Sequence, residues 1–360
     1  MSRMATAIVV IALASIAAAL GASAGGQRAA GATVPSPKIA FVRYSLGAPW
    51  DSHIFVMNPD GSDLRQLTYG GGLDTDQTWS PDGSRLVFER WVQQGTDAPS
   101  GAIYVVRADG TGLRPLTSGP GTQFSPAWAP EGRRIAYVTG NGRLFAMNAD
   151  GSGKRQLTDA PPGATSACCY GSTPTWSPDG QRIAYSRRGV IYMVNADGSA
   201  KWRLTRGHSY DCAAWSPDGS RIAFVEEPHA YNSIYVATPF HRGRERLITH
   251  HAYTEGGGFA WSPGGQKIVY AREKAGGVYI INVDGSHDRR LTRNPLRRDL
   301  LAGGFSWSPD RQAIAYASDR SGNGDIYVVN ARWGNQQQLT DGLEADGAPR
   351  WSLSPRTESC

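Results

Sequence analysis

Several kinds of functional site are missing from this sequence. Its seven histidines form no H-x-H or H-E-x-x-H pattern, the spacings that present two imidazoles to one metal ion. No apolar segment beyond residue 24 is long enough to cross a bilayer, which takes roughly 20 residues. Basic and aromatic residues are not interleaved as in surfaces that bind single-stranded nucleic acid. These absences argue against a common metallohydrolase motif, a membrane span in the mature chain and nucleic acid as a partner.

The first 24 residues have the features of a signal peptide. Arg3 precedes a run of small and apolar residues at 5–20, and Ala22-Ser23-Ala24 supplies the small-x-small pattern of a cleavage site. A run of 16 residues is short for a retained anchor. We expect cleavage between Ala24 and Gly25, export to the periplasm, cell envelope or medium without a stable membrane anchor, and a flexible tail at 25–37.

The net charge is mildly basic. It is +6 for the whole chain and +5 once Arg3 is removed, and it favours an anionic partner only slightly. We interpret the densest group of basic residues as a solvated turn. This group comprises Arg289, Arg290, Arg293, Arg297 and Arg298. We expect the protein to be a monomer.

A short motif that begins with tryptophan repeats along the chain at intervals of 39 to 49 residues. It reads W-S-P-D-G at three positions, W-A-P-E-G, W-S-P-G-G and W-S-P-D at others, and W-S-L at the last; the tryptophans are Trp79, Trp128, Trp176, Trp215, Trp261, Trp307 and Trp351. Such a period is typical of a propeller blade. We interpret these tryptophans as packing between blades rather than as a surface for sugars.

Each repeat predicts four strands, which we call A (the tryptophan motif), B, C and D. B and C are β-branched and aromatic on both faces, so each sheet must be covered on both sides. Strand D ends in Leu-Thr or Ile-Thr seven times along the chain. The first B, C and D strands, which begin at Lys38, have no tryptophan motif before them. The last tryptophan motif, at Trp351, has no B, C and D strands after it. The sequence therefore predicts an all-β, seven-bladed β-propeller over 38–353, with four-stranded antiparallel blades, a ring closed by the Trp351 strand pairing with the N-terminal blade, and a tail at 354–360.

The repeat unit W-S-P-D-G-x-x-I-A-Y, I-Y-V-x-N-A-D-G and L-T resembles the TolB-type propeller repeat of bacterial envelope proteins. The resemblance covers Lys38 to Leu353. It implies a WD40-like propeller that binds an envelope or extracellular protein, peptide or glycan. Because one propeller scaffold supports many functions, the resemblance predicts the fold more sharply than the function.

The two ends of the predicted blades differ in their connections. The A–B and C–D turns are short and uniform, whereas the B–C and D–A connections vary in length, as at 44–52, 91–101 and 159–174. Variable loops on a rigid scaffold often bind ligands. We therefore expect a non-catalytic binding or scaffold protein that uses the face formed by the B–C and D–A loops, with no cofactor.

Five of the seven histidines, including His53, fall on that face. The candidate ligand-face residues are His208, Asp211, His250, His251 and Glu255. An alternative is a metal-dependent polysaccharide lyase, since the fold also resembles that of the oligogalacturonate lyases; it would use His208, His229, His250 and His251 as metal ligands.

Two further patterns and the cysteines complete the candidates. Gly21–Gly25 matches the G-x-S-x-G pattern but lies at the cleavage site, and Gly151–Lys154 resembles a phosphate loop but occupies a C–D turn.

Cys168 or Cys169 and Cys212 lie in neighbouring loops, and we favour a disulfide from Cys169 to Cys212 over free thiols. Cys360 is expected to be unpaired. No catalytic residue is predicted.

Overall fold

The computed structural model describes residues 36–48, 50–93, 100–119, 121–159, 174–206, 210–226, 232–240, 244–253, 258–272, 276–292 and 304–352. Over these ranges the chain is all β, with strands joined by turns and loops. None of the residues in these ranges forms a helix long and apolar enough to cross a membrane.

The strands pair in sets of four antiparallel neighbours. They are β1 (Ile39–Tyr44), β2 (Ser52–Met57), β3 (Arg65–Gln66), β4 (Leu73–Trp79), β5 (Arg85–Val92), β6 (Ser100–Arg107), β7 (Arg114–Pro115), β8 (Gln123–Trp128), β9 (Arg134–Thr139), β10 (Leu144–Asn148), β11 (Arg155–Gln156), β12 (Thr175–Trp176), β13 (Arg182–Arg187), β14 (Val190–Asn195), β15 (Trp202–Arg203), β16 (Tyr210–Trp215), β17 (Ile222–Glu226), β18 (Asn232–Ala237), β19 (Arg246–Tyr253), β20 (Phe259–Trp261), β21 (Lys267–Arg272), β22 (Val278–Asn282), β23 (Arg289–Arg290), β24 (Ser306–Trp307), β25 (Ala313–Ser318), β26 (Asp325–Asn330), β27 (Gln336–Gln338) and β28 (Ala345–Trp351). We call the sets units 1 to 7 and name their strands A to D in order: β28-β1-β2-β3, then β4–β7, β8–β11, β12–β15, β16–β19, β20–β23 and β24–β27. A parallel pairing of β2 with β4 joins units 1 and 2 into one eight-stranded sheet, and an antiparallel pairing of β19 with β21 does the same for units 5 and 6.

Unit 1 combines the two ends of the described chain. β28 pairs antiparallel with β1, from Ile39 opposite Trp351 to Tyr44 opposite Ala345. Beyond the strands, the Lys38 backbone N–H donates to Ser352 Oγ at 2.7 Å and the Ser352 N–H donates to the Lys38 carbonyl at 2.8 Å. The strand that ends at Trp351 is therefore strand A of unit 1.

The W-S-P-D-G motif forms the turn from strand A to strand B. In unit 2 the Ser80 hydroxyl oxygen accepts the Arg85 N–H at 2.9 Å and donates to Asp82, while Gly83 takes a φ of 69° that glycine adopts without steric cost. The same serine contact recurs in units 4, 5, 6 and 7, at Ser177, Ser216, Ser262 and Ser308. Gly151–Lys154 lies in the turn from β10 to β11, so the phosphate-loop resemblance is indeed a C–D turn.

The Leu-Thr pair fixes strand D against strand C. The Thr68 hydroxyl oxygen accepts the Ile54 N–H at 2.9 Å, and a threonine makes the same contact 14 residues downstream of its partner in units 2, 3, 4, 6 and 7. A buried backbone N–H without an acceptor would cost free energy. The threonine hydroxyl therefore accepts a strand C N–H for which the short strand D provides no backbone carbonyl.

The core lies between adjacent units. All seven motif tryptophans are at most 8% exposed. Three of them donate an indole N–H to strand A of the preceding unit: Trp79 to the Arg350 carbonyl, Trp176 to that of Ala127 and Trp261 to that of Ala214, at 3.0 to 3.2 Å. The prediction that the tryptophans pack between repeats is confirmed.

Antiparallel pairing places the connections at two ends of each unit. The A–B and C–D turns share one end, which we call the turn end, and the B–C and D–A connections share the other, the loop end. Strand A of one unit contacts strand A of the next from unit 1 through unit 6, and strand A of unit 7 contacts that of unit 1. The A strands therefore lie next to one another in most neighbouring units.

Candidate functional site

A bulge interrupts strand A three residues before the tryptophan. The residue there has a positive φ in the six units in which it is described: Asp76, Ser125, Cys212, Gly258, Gly304 and Ala348, with φ from 46° to 73°. Register shifts accompany it where β4 meets β5 and where β8 meets β9. A bulged residue is released from the ladder, so its side chain and N–H can be used elsewhere.

Glu89, in β5, uses one of these released N–H groups. It is 7% exposed and accepts hydrogen bonds from the Thr75 hydroxyl at 2.8 Å, the Trp91 indole at 2.9 Å and the Ser125 N–H of unit 3 at 3.0 Å. Burial, and then the like charge of Asp76, raise the pKa of Glu89 to about 7 even though the three donors oppose the shift. The carboxyl group therefore gains or loses a proton near neutral pH.

Asp76 and Arg350 form the charged surroundings of Glu89. Asp76 reaches solvent, yet the protein around its carboxylate raises its pKa, and the positive charge of Arg350 opposes this rise. Burial lowers the pKa of Arg350 to about 10, against the effect of Asp76. The A strands of units 1 and 2 thus hold opposite charges that interact with each other beside Glu89.

Two arginine–aspartate pairs lie at the same end of units 1 and 2. Arg43 donates two hydrogen bonds to Asp346, at 2.7 and 2.8 Å, and Arg90 donates two to Asp74, at 2.5 and 2.7 Å. Each guanidinium also covers an aromatic ring, since Arg43 Cζ lies 4.7 Å from the centre of the Phe55 ring and Arg90 Cζ lies 5.1 Å from that of Tyr104. The side chains of both aspartates are fully buried. These pairs fix the position of strand A against strand B.

His53, in β2, lies between two carboxylates. Its Nδ1 is 3.9 Å from Asp74 and its Nε2 is 3.6 Å from Asp51. The interaction with Asp74 is the main cause that raises the pKa of His53, and the negative charge of Asp51 adds to the rise. Burial and the positive charge of Arg90 oppose it. Asp51 also accepts the Ser45 hydroxyl at 2.6 Å, which holds the B–C loop of unit 1 closed.

Four large apolar side chains are exposed where the loops of unit 1 meet its neighbours. Leu46 and Trp50 lie in the B–C loop, Tyr69 in the connection to unit 2 and Leu343 in the connection from unit 7, with exposed fractions from 46% to 85%. We call these four side chains the unit 1 patch. The loops adjoin, because the Ser52 N–H donates to the Gly72 carbonyl at 3.1 Å and Arg43 lies 3.8 Å from Glu344. Taken together, the sequences 45–51, 69–72 and 341–344 contain acidic residues and no lysine or arginine.

The histidine group predicted from the sequence is only partly described. His208, His229 and Glu255 lie outside the described residues, and Asp211 and His251 are described only as members of β16 and β19. His250 is exposed on β19, with Nδ1 3.3 Å from the Ser233 hydroxyl. The described parts of the chain contain no group of three His, Cys, Asp or Glu side chains arranged to hold a metal ion.

Cys212 is disulfide-bonded. Cys168, Cys169 and Cys360 lie outside the described residues, so the pairing with Cys169 stays a prediction.

Sequence reasoning missed Glu89, Asp76 and Arg350. A signal was present, because Glu89 stands where the other repeats have Val, Ser or Ala, and Asp74-x-Asp76 precedes a tryptophan motif. Charged residues at strand positions that the other repeats leave neutral would have indicated this cluster.

Comparisons with known proteins agree with this architecture. The chain matches the family model described as the TolB beta propeller domain over residues 2–209 and 191–357. Among solved structures, TolB from Acinetobacter baumannii is 18% identical, with a TM-score of 0.50 over 87% of this chain and 82% of that one. An oligogalacturonate lyase in complex with manganese is 16% identical, with a TM-score of 0.60 over 78% of this chain and 82% of that one.

A second oligogalacturonate lyase, from Vibrio parahaemolyticus, is also 16% identical, with a TM-score of 0.58 over 78% of this chain and 84% of that one. No curated protein matches the sequence. At these identities the similar structures show the fold alone. On the family match, which spans nearly the whole sequence, the chain belongs to the TolB beta propeller domain family.

Proposed function

We propose that this protein is an exported, non-catalytic binding propeller that engages an envelope or extracellular protein, peptide or glycan through its loop end. In this proposal the seven units are blades of one closed ring. Two observations support the ring: strand β28 completes unit 1 beside β1, and strand A of unit 7 contacts strand A of unit 1. A closed ring leaves only short strand edges exposed.

The unit 1 patch carries the proposal. Leu46, Trp50, Tyr69 and Leu343 are exposed on three adjoining loops, whereas the motif tryptophans are buried. Large apolar side chains grouped on a soluble protein mark interaction surfaces, and exposed tryptophan and tyrosine are frequent binding hot spots. The acidic composition of these loops favours a partner with basic groups beside its apolar contact.

The rigid network beneath the patch supports the same function. Arg43–Asp346 and Arg90–Asp74 hold the strands from which the three loops emerge. A preorganised surface loses less conformational entropy when a partner binds. The loops therefore present their apolar side chains from a fixed base.

Site-specific photo-crosslinking in the exporting host tests the proposal. A benzoylphenylalanine at position 50 is compared with one at position 333, because Trp333 is 67% exposed at the turn end and serves as the matched control. We expect position 50 to capture a discrete partner that position 333 does not, and the Leu343→Ala exchange to weaken that capture. Equal adducts at both positions, or none at position 50, would contradict the proposal.

A further inference from the structure

A groove of about 530 Å³ lies between units 3 and 4 at the turn end. Its walls are formed by strands B, C and D of unit 3 and by the A–B and C–D turns of unit 4. Guanidinium and amide groups line it: Arg134, Arg155, Arg182, Asn148, Gln181 and Asn195. A second groove of about 390 Å³ adjoins it and shares Arg155 and Asp197. These volumes are in the range of small-molecule sites.

Arg155 departs from the behaviour of its repeat position. The residue three before the strand D threonine is an arginine in five units, and in units 2, 5 and 6 it donates to a backbone carbonyl in the next unit: Arg114 to Asp150 at 3.2 Å, Arg246 to Val283 at 3.0 Å and Arg289 to Ala331 at 2.9 Å. In unit 1 the arginine, Arg65, lies 3.3 Å from Asp63 instead. Arg155 is exposed and makes no such bond to any residue that the structure describes. Its planar set of donors therefore faces the groove unused.

The other two arginines of the groove are already held in place. Arg134 donates to Glu131 at 2.7 Å and to the Gly180 carbonyl at 3.0 Å, and its Cζ lies 4.6 Å from the centre of the Trp176 ring. Arg182 lies over the Phe240 ring at 5.0 Å and 3.4 Å from Asp179. These partners offset the charges of Arg134 and Arg182, whereas Arg155 forms no ion pair with a residue of the described chain, so its guanidinium keeps donors available for a ligand.

Asp197 limits the charge that the groove accepts. Its carboxylate accepts the Ser199 N–H at 2.9 Å and the Ser199 hydroxyl at 2.6 Å, and these two bonds, followed by the charge of Arg155, lower its pKa. An ionised aspartate in the wall repels a ligand with several negative charges. One anionic group placed at Arg155 is compatible with it.

We propose that this groove binds a polar ligand of about disaccharide size through a single carboxylate group, with Arg155 as its bidentate partner. Arginine and carboxylate match in geometry, and a charge-assisted pair is stronger than a neutral hydrogen bond. Asn148 and Asn195 each donate one amide N–H within their own turn, to Ser152 and Ser199, and their remaining amide groups, with Gln181, line the space for the uncharged remainder of the ligand. The site lies at the end opposite the unit 1 patch and does not depend on the proposed function.

Two matched pairs of ligands distinguish a carboxylate on a sugar from a carboxylate on a peptide. Cellobiouronic acid and cellobiose differ in one carboxylate on a sugar, and N-acetyl-Gly-Asp-Gly-amide and its Asn analogue differ in one carboxylate on a peptide. Each is titrated into the full chain at pH 7 by calorimetry or NMR. We expect one acidic ligand to bind at least about tenfold more tightly than its neutral analogue, the contribution of one charge-assisted pair.

Two variants at the same repeat position supply the control. Arg155→Gln is expected to abolish the preference for the acidic ligand and to leave the melting temperature unchanged, since no bond within the described chain is lost. Arg114→Gln removes an arginine bonded to the next unit and is expected to leave ligand binding unchanged. Equal binding of acidic and neutral ligands, no binding at 10 mM (about the weakest affinity worth testing), or equal losses in both variants would overturn the proposal.

Discussion

Replacing Glu89 with glutamine should remove a specific part of the pH dependence of stability. The folded-state pKa of Glu89 is about 7, against an ordinary value of 4.5. At a pH between these two pKa values, Glu89 has lost its proton in the unfolded chain but keeps it in the folded chain. Stability is therefore greatest below the unfolded pKa and falls as the pH rises through the folded one. The amide of the Glu89→Gln variant has no such proton to lose, so this fall should be absent.

The two pKa values set the size of the effect. Converted at about 1.4 kcal/mol per pKa unit, their difference gives a loss of about 3 kcal/mol between pH 4.5 and pH 8. The pKa of His53 is also raised, and this contributes in the same direction in both proteins. The difference between wild type and variant therefore isolates Glu89. The amide should also lower stability at every pH by about 1–3 kcal/mol, because it cannot accept all three donors.

Urea denaturation at pH 4.5 and pH 8 measures the difference. We expect the free energy of unfolding of the wild type to fall by about 3 kcal/mol more than that of Glu89→Gln over this interval. Glu226→Gln, which alters a partly buried glutamate at the end of β17, serves as the control and should keep the wild-type pH dependence. A Glu89→Gln protein that lost as much stability as the wild type would refute the assignment.

Two further predictions concern unit 1. A chain that ends before Gly347 loses most of β28 and should melt at a lower temperature than the full chain by differential scanning calorimetry; equal melting temperatures would contradict the closed ring. Asp346→Asn leaves Arg43 without its buried carboxylate and should cost about 3–5 kcal/mol of unfolding free energy in urea. The exposed Asp341→Asn exchange should cost less than about 0.5 kcal/mol, and equal losses would show that burial of the pair does not matter.

The strands could be predicted from the sequence because the residues that fix each turn and each strand pairing lie within a single repeat. The serine and glycine of the tryptophan motif fix the A–B turn, and the 14-residue contact from Thr68 to Ile54 recurs in most units. Such contacts act within one unit. A pattern repeated along the chain is enough to identify them.

The candidate site could not be predicted in the same way because it joins residues from different units. Glu89 meets Ser125 of unit 3, and Arg43 meets Asp346 across almost the whole chain. Glu89 has no acidic counterpart in the other repeats, and Arg43–Asp346 corresponds to Arg90–Asp74 only once a strand from the far end of the chain is placed before β1. The sequence indicated the loop end as the variable surface, but not that the loops around unit 1 would carry four of the exposed large apolar side chains.

The origin of unit 1 in both chain ends has a consequence for folding. Lys38 and Ser352 are separated by 314 positions, so β1 remains without strand A until the last segment has been made and, if the chain is exported, translocated. Units 2 to 7 can form progressively from neighbouring segments. Each doubling of such a separation costs only about 0.6 kcal/mol of closure entropy, so the delay affects the rate more than the final stability. Until then, the open edge of β1 is the surface that a chaperone would most need to protect from aggregation.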